Sequence, residues 1–194
     1  MSRLEIHQTF GNVPEHLPIR SVMFFFRIRK SQLDDCLKKL SEYYSSKVAI
    51  IGAFADELRL NYGEQLSFNT CGLSLTGDPE HLDIRQVVLD DTIRTREQIR
   101  EKLKLLQSKH YEQSTMSFAI QITCVARGSH FFHGETNVEC SEFRRLFPRT
   151  PLIGAFGNGE LGHDYPTEKD VLMSNHDDLF RSYSTVFSLI SIHM

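Results

Sequence analysis

Pro151-Leu152-Ile153-Gly154-Ala155-Phe156-Gly157-Asn158-Gly159-Glu160-Leu161-Gly162 is the stretch on which the reading of this chain turns. It opens as a short apolar run, the pattern of a buried strand. Gly154, Gly157, Gly159 and Gly162 then crowd the segment, and glycine allows positive φ and close backbone approach because it has no Cβ. Glu160 is its only charge, and a carboxylate among such glycines is either a positioned contact or a solvated turn residue. The letters Gly157-x-Gly159-x-x-Gly162 fit the dinucleotide fingerprint, which works by opening a helix directly behind the glycines. Here His163-Asp164-Tyr165-Pro166 follows, and Pro166 biases Tyr165 away from the helical region. A nucleotide-binding unit is therefore not expected.

Ile51-Gly52-Ala53-Phe54-Ala55-Asp56-Glu57-Leu58 is a second version of the same stretch, one glycine shorter. The flanks of the two copies agree. Before the first lies a strand, 22–28, apolar on both faces as central strands are. Then comes a helical stripe of Leu33, Cys36, Leu37, Leu40 and Tyr44 over 32–45. Before the second copy lies a strand in which Met116, Phe118, Ile120, Ile122 and Cys124 alternate, then a short helix carrying Cys140, Phe143 and Phe147 that Pro148 ends. After the first copy, Cys71, Leu73 and Leu75 alternate, Gly77-Asp78-Pro79 turns, and 82–89 is another strand. After the second, a strand near 170–173 and a final one over 183–193 are predicted. Between the halves, Thr95-Arg96-Glu97-Gln98 has the capping-box form and opens a helix over 94–109, with Ile99, Leu103 and Leu106 on one face. Thr136-Asn137-Val138-Glu139 repeats the capping-box form before the second short helix.

These elements predict an α/β (α+β) fold: a mixed β-sheet body with flanking helices and a pseudo-symmetric strand-helix-strand-strand repeat. The half-repeats span about 21–89 and 116–193 within one domain, 21–194. The extra length of the second half falls in the loop before its helix, where insertion costs little. Residues 1–20 read as an N-terminal extension or edge strand, with Leu4, Ile6 and Phe10 apolar before Gly11, Pro14 and Pro18. The two Ile-Gly-Ala-Phe turns are expected at equivalent edges of the two halves.

At 194 residues, 40% of them hydrophobic, the chain suits one ordinary domain or two small halves sharing a core. A formal charge of −3 gives no footprint for nucleic acid. No apolar run approaches the ~20 residues of a membrane span, and the first residues lack the apolar core of a secretory signal. Cys36, Cys71, Cys124 and Cys140 form no C-x-x-C pair and sit in apolar patterns, so reduced thiols in a cytoplasmic or nuclear protein are expected.

Candidate chemistry is sparse. His130-x-x-His133 supplies two of the four ligands zinc wants, and a solvated loop is the better reading. His163-Asp164 and His176-Asp177-Asp178 have acid–base residue types, but no serine or cysteine stands in a nucleophile elbow. Cys124 reads as a core thiol. Arg127 is placed to hold an anion or to pair at the surface. Phe131-Phe132, if exposed, marks a partner or ligand surface; the alternative is that both rings fold back onto the core.

The runs Cys124-Val125-Ala126-Arg127-Gly128, Asn137-Val138-Glu139 and Phe143-Arg144-Arg145-Leu146-Phe147-Pro148, together with the twelve residues quoted first, resemble the FIST C-terminal domain. The closing segment 177–185 resembles the branch of that family that carries an F-box. The likeness is specific over 118–192 and looser but collinear back to about residue 20. It implies binding and not catalysis. In the F-box branch the FIST region recognises proteins to be ubiquitylated, while an N-terminal F-box docks on a Skp–cullin ligase. Bacterial FIST domains imply the alternative, a small-ligand sensor using the glycine-rich turn. The expectation is thus a binder of protein substrates in the ubiquitin–proteasome pathway, with no cofactor, no metal and no catalytic residue. Arg127, Phe131, Phe132, Gly157, Asn158, Gly159 and Glu160 are its candidate binding residues. No F-box is legible, so a Skp adaptor is not expected to bind this chain alone, and competition with a full-length relative is one role it would then take.

Overall fold

A computed structural model of the chain describes residues 13–14, 16–27, 48–56, 59–62, 64–67, 70–113, 116–167 and 179–193. Two mixed sheets face each other. The first has the order β10-β9-β2-β1-β5, the second β6-β11-β7-β8, and β3 with β4 forms a separate hairpin. In chain order the strands are β1 (Ile19–Phe26), β2 (Ala49–Phe54), β3 (Arg59–Tyr62), β4 (Glu64–Ser67), β5 (Thr70–Thr76), β6 (Leu82–Leu89), β7 (Met116–Cys124), β8 (Leu152–Gly157), β9 (Glu160–Gly162), β10 (Phe180–Arg181) and β11 (Thr185–Ile192). The helices are α1 (Arg96–Lys104), α2 (Lys109–Gln113) and α3 (Val138–Leu146).

The strands that read as apolar on both faces occupy the sheet interiors, because each face meets a different apolar layer. Along β11, Phe187 and Leu189 join Ile99, Leu103, Phe143 and Phe147 under the helices. Val186 and Ile190 point the other way and pack with Ile51, Ala53, Ile84 and Ile122 between the two sheets. Along β1 and β2, Val22, Phe24, Phe26 and Ile50 form a third cluster on the outer face of the first sheet. Phe143 lies flat on Phe187 with ring centroids 5.5 Å apart, so aromatic packing fixes α3 on the second sheet.

The two Ile-Gly-Ala-Phe segments enter their sheets in the same way. β2 runs parallel to β1, pairing Phe24 with Gly52, and β5 pairs antiparallel on the other side of β1. β8 runs parallel to β7, pairing Gln121 with Gly154, and β11 pairs antiparallel on the other side of β7. These pairings are a property of each sheet; the symmetry of the two halves is not established by them. The expectation that the two turns lie at equivalent edges is corrected. β2 is an inner strand, covered by β9 with Gly52 opposite Leu161, whereas β8 is the last strand of its sheet.

Other local expectations differ in instructive ways. The Thr95 capping box forms, with Gln98 N–H donating to Thr95 Oγ1 and Thr95 N–H to Gln98 Oε1. The second capping box does not form: Asn137 precedes α3 with φ of 56° and no side-chain cap, because Glu139 is drawn into the interior by Arg127 and Thr185. The helix expected over 94–109 stops at Lys104, and a short α2 follows. The hairpin β3–β4 was not anticipated. The helix over 32–45, the strand near 170–173, the apolar residues Leu4, Ile6 and Phe10, and the His176-Asp177-Asp178 run lie outside the described residues.

Candidate functional site

Arg127 ends a single 3-10 turn (Val125–Arg127) that follows β7, and its side chain is fully buried. A buried guanidinium has five donors to satisfy. Here Nε and Nη2 donate to Glu139 Oε1 at 3.0 and 2.7 Å. Nη1 donates to the carbonyls of Asp90 and Tyr183 at 2.7 and 3.0 Å, and Nη2 also to that of Ile93 at 3.0 Å. Glu139 Oε2 accepts from the Thr185 hydroxyl at 2.7 Å. Burial pushes the Glu139 carboxyl up, against the pull of Arg127. Phe131 lies under the guanidinium, 4.3 Å from ring centroid to Cζ, and Arg94 approaches the same ring at 5.2 Å. The exposed aromatic patch considered from sequence is not formed: Phe132 is buried and Phe131 half-buried against the helix-side core. Their loop is spent on tying β7, α1 and α3 to Arg127.

The second group of candidates sits on the turn between β8 and β9. Gly159 has φ of +114°, a conformation that disfavours any side chain. Gly157 has no such φ; its constraint is contact, since a Cβ there meets Ala53 Cβ at 2.6 Å. Asn158 is exposed, and its N–H donates to the Phe54 carbonyl at 3.0 Å. Glu160 is wholly buried and accepts from the Ser184 hydroxyl at 2.9 Å; burial pushes its pKa up. The solvated or ligand-facing carboxylate considered from sequence is therefore corrected to an internal one. Neighbouring His163 is buried between the carbonyls of Val48 and Asp164, and burial lowers its pKa.

Arg127, Phe131 and Phe132 thus come together, as do Gly157 to Glu160. The shallow groove beside Arg127 includes Phe132 and Phe156 but neither Asn158 nor Glu160. It continues along the helix side of β8 past Gln121, Cys140, Arg144 and Gly154. Cys140 Sγ donates to Gln121 Oε1 at 3.1 Å, and burial raises the thiol pKa.

The surface feature that sequence reading missed is β8 itself. Ile153 is 69% and Phe156 68% exposed, on opposite faces of an edge strand. Their apolar run has the pattern of a covered strand, and only the sheet order reveals that nothing described covers it. No helix among the described residues is long and apolar enough to cross a membrane.

The FIST C domain family model matches residues 84–163, from within β6 to just past β9. That range includes Arg127, Phe131, Phe132, the glycine-rich turn and Glu160. F-box only protein 22 of Pongo abelii is 32% identical over 127 residues, and that of Homo sapiens 33% identical over 129 residues. Each match covers 62% of this chain and 30% of the relative, so the chain spans under a third of the curated relatives it matches. The chain thus matches the FIST C domain model at residues 84–163 and resembles F-box only protein 22.

Proposed function

We propose that this chain is a non-catalytic FIST C-domain protein that binds protein substrates of the ubiquitin–proteasome pathway. The observation that carries the reading is the similarity to F-box only protein 22, supported by the FIST C match over 84–163, the part of the chain that holds the candidate residues. The burial pattern supports it. Arg127 and Glu139, residues with chemistry to offer a small ligand, are spent on each other, and Glu160 is buried against Ser184. Val125, Ile153 and Phe156 are exposed nearby among polar residues, and exposed large apolar side chains are the character of a protein-contact patch. The small-ligand sensor reading has less support, because it needs Arg127 and Glu160 in one accessible pocket.

Affinity capture of the intact chain from its own cells, with mass spectrometry of the bound proteins, tests this. Proteins that are themselves ubiquitylated are expected in stoichiometric excess over a tagged control. Native mass spectra showing a retained small molecule and no protein partner would overturn the reading in favour of the sensor.

A further inference from the structure

The outer edge of β8 has features that set it apart from the other strand ends of its sheet. β6, the opposite edge, carries Asp83 and Arg85, which pair at 3.4 Å, and is bridged by Tyr165 through both backbone bonds to Gln86. Such charges and covers are how proteins keep sheet edges from pairing with other chains. β8 has neither. From Pro151 to Gly159 there is no charged residue, and none of the described strands pairs with its outer side.

The same molecule shows what such an edge accepts. In β2 the sister tetrapeptide is covered by a short antiparallel strand, with Gly162, Leu161 and Glu160 opposite Ile51, Gly52 and Ala53. Charge adds a second constraint. Arg144, exposed at the end of α3, lines the groove beside Gly154 and Phe156. Arg149, also exposed, lines the surface beside Met116 and Pro151 at the start of the strand. Neither is ion-paired among the described residues, whereas the neighbouring Arg145 lies 3.8 Å from Glu142.

We infer that the outer edge of β8 is a docking site for an extended segment of a partner protein, added as a further strand, with apolar side chains against Ile153 and Phe156 and acidic residues toward Arg144 and Arg149. Main-chain hydrogen bonds would supply affinity and the alternating side chains specificity, as in other strand-addition interfaces. The inference rests on the protein-binding reading above and names its surface.

The test is a phage-displayed library of random peptides of about twelve residues, long enough for a strand and its flanks, panned on the full chain. An enriched peptide is then measured by fluorescence anisotropy. The expected consensus alternates apolar residues and carries Asp or Glu at its ends. Ile153→Lys, and separately Arg144→Glu combined with Arg149→Glu, should each weaken binding about tenfold or more, as removal of an interface anchor does. Leu73→Lys on the edge of the other sheet should leave it unchanged, and all variants should keep the parent melting temperature. No enrichment, a basic or proline-rich consensus, or binding indifferent to Ile153→Lys would overturn the inference. So would a concentration-dependent dimer dissolved by Ile153→Lys, which would make a second copy the occupant. Cellular protein capture that survives Ile153→Lys would defeat this edge and leave the proposed function standing. Peptide binding without any captured protein would do the reverse.

Discussion

Ile51-Gly52-Ala53-Phe54 and Ile153-Gly154-Ala155-Phe156 are the same four residues in the same pairing arrangement, yet they live in opposite environments. Ile51 is 1% exposed and Ile153 69%. Phe54 packs edge-on against Phe26 with centroids 4.1 Å apart, while Phe156 is 68% exposed. The difference is one neighbour: β9 covers β2, and no described strand covers β8. The short strand after the second copy folds across to finish the first copy's sheet, which leaves the second copy as an edge. Identical local sequence thus sets identical local pairing, and the burial of each copy is decided by what a distant segment does.

The largest effect expected concerns the polar residues beside the exposed copy. If Arg127 is scaffold, Arg127→Ala strands Glu139 as a buried unpaired carboxylate and should cost about 3–5 kcal/mol of stability, read by urea denaturation. A stable variant that only loses partner binding would instead make Arg127 part of a contact surface. Next, Ile51→Ala should cost about 2–5 kcal/mol, the range for a core truncation, whereas Ile153→Ala should stay within about 0.5 kcal/mol. Equal costs at the two isoleucines would break the comparison.

The glycines extend it. A Cβ on Gly52 meets the Phe24 carbonyl oxygen at 2.5 Å, and β2 is held between two strands. On Gly154 the corresponding contact, to the Gln121 carbonyl oxygen, is 3.1 Å, and no described strand pairs with the outer side of β8. Gly52→Ala should therefore cost about 1–3 kcal/mol, as overpacking does, and Gly154→Ala no more than about 0.5 kcal/mol.

The smallest effect is one of pH, and it concerns the cover of the first copy. His163 directly follows β9, and its folded pKa lies below the ordinary 6.5 because burial disfavours the imidazolium. Its neutral form is favoured in the fold, so the contribution to stability is full above the unfolded pKa and is lost as pH falls below about 6.5. The loss can reach at most about 1.4 kcal/mol per pH unit for one proton. His163→Gln should flatten this slope in denaturation curves recorded from pH 7.5 down to pH 5. An unchanged slope would place the titration elsewhere.

Much of the fold was legible because periodicity reports which faces of a strand are apolar. The strands around 22, 82, 116 and 185 and the Thr95 cap follow from such local patterns. The candidate site was less legible, for a physical reason in each case. Arg127 and Glu160 read as surface chemistry because nothing in a sequence says that Glu139 and Ser184 wait for them across the fold. Phe132 read as a loop aromatic, and its burial depends on α1 and α3 closing over it. The exposure of Ile153 was hidden by the opposite error: an apolar run has one appearance whether a neighbouring strand covers it or not.

The central claim is that the two tetrapeptides share their pairing arrangement and differ in cover. Amide hydrogen exchange at pH 7, resolved residue by residue, tests it most directly. The account predicts protection at all amides from Ile51 to Phe54, and fast exchange at alternate amides from Ile153 to Phe156, those on the outer side of β8. Uniform and equal protection of both segments in the isolated chain would show that β8 is already covered, and would contradict both the comparison and the docking edge.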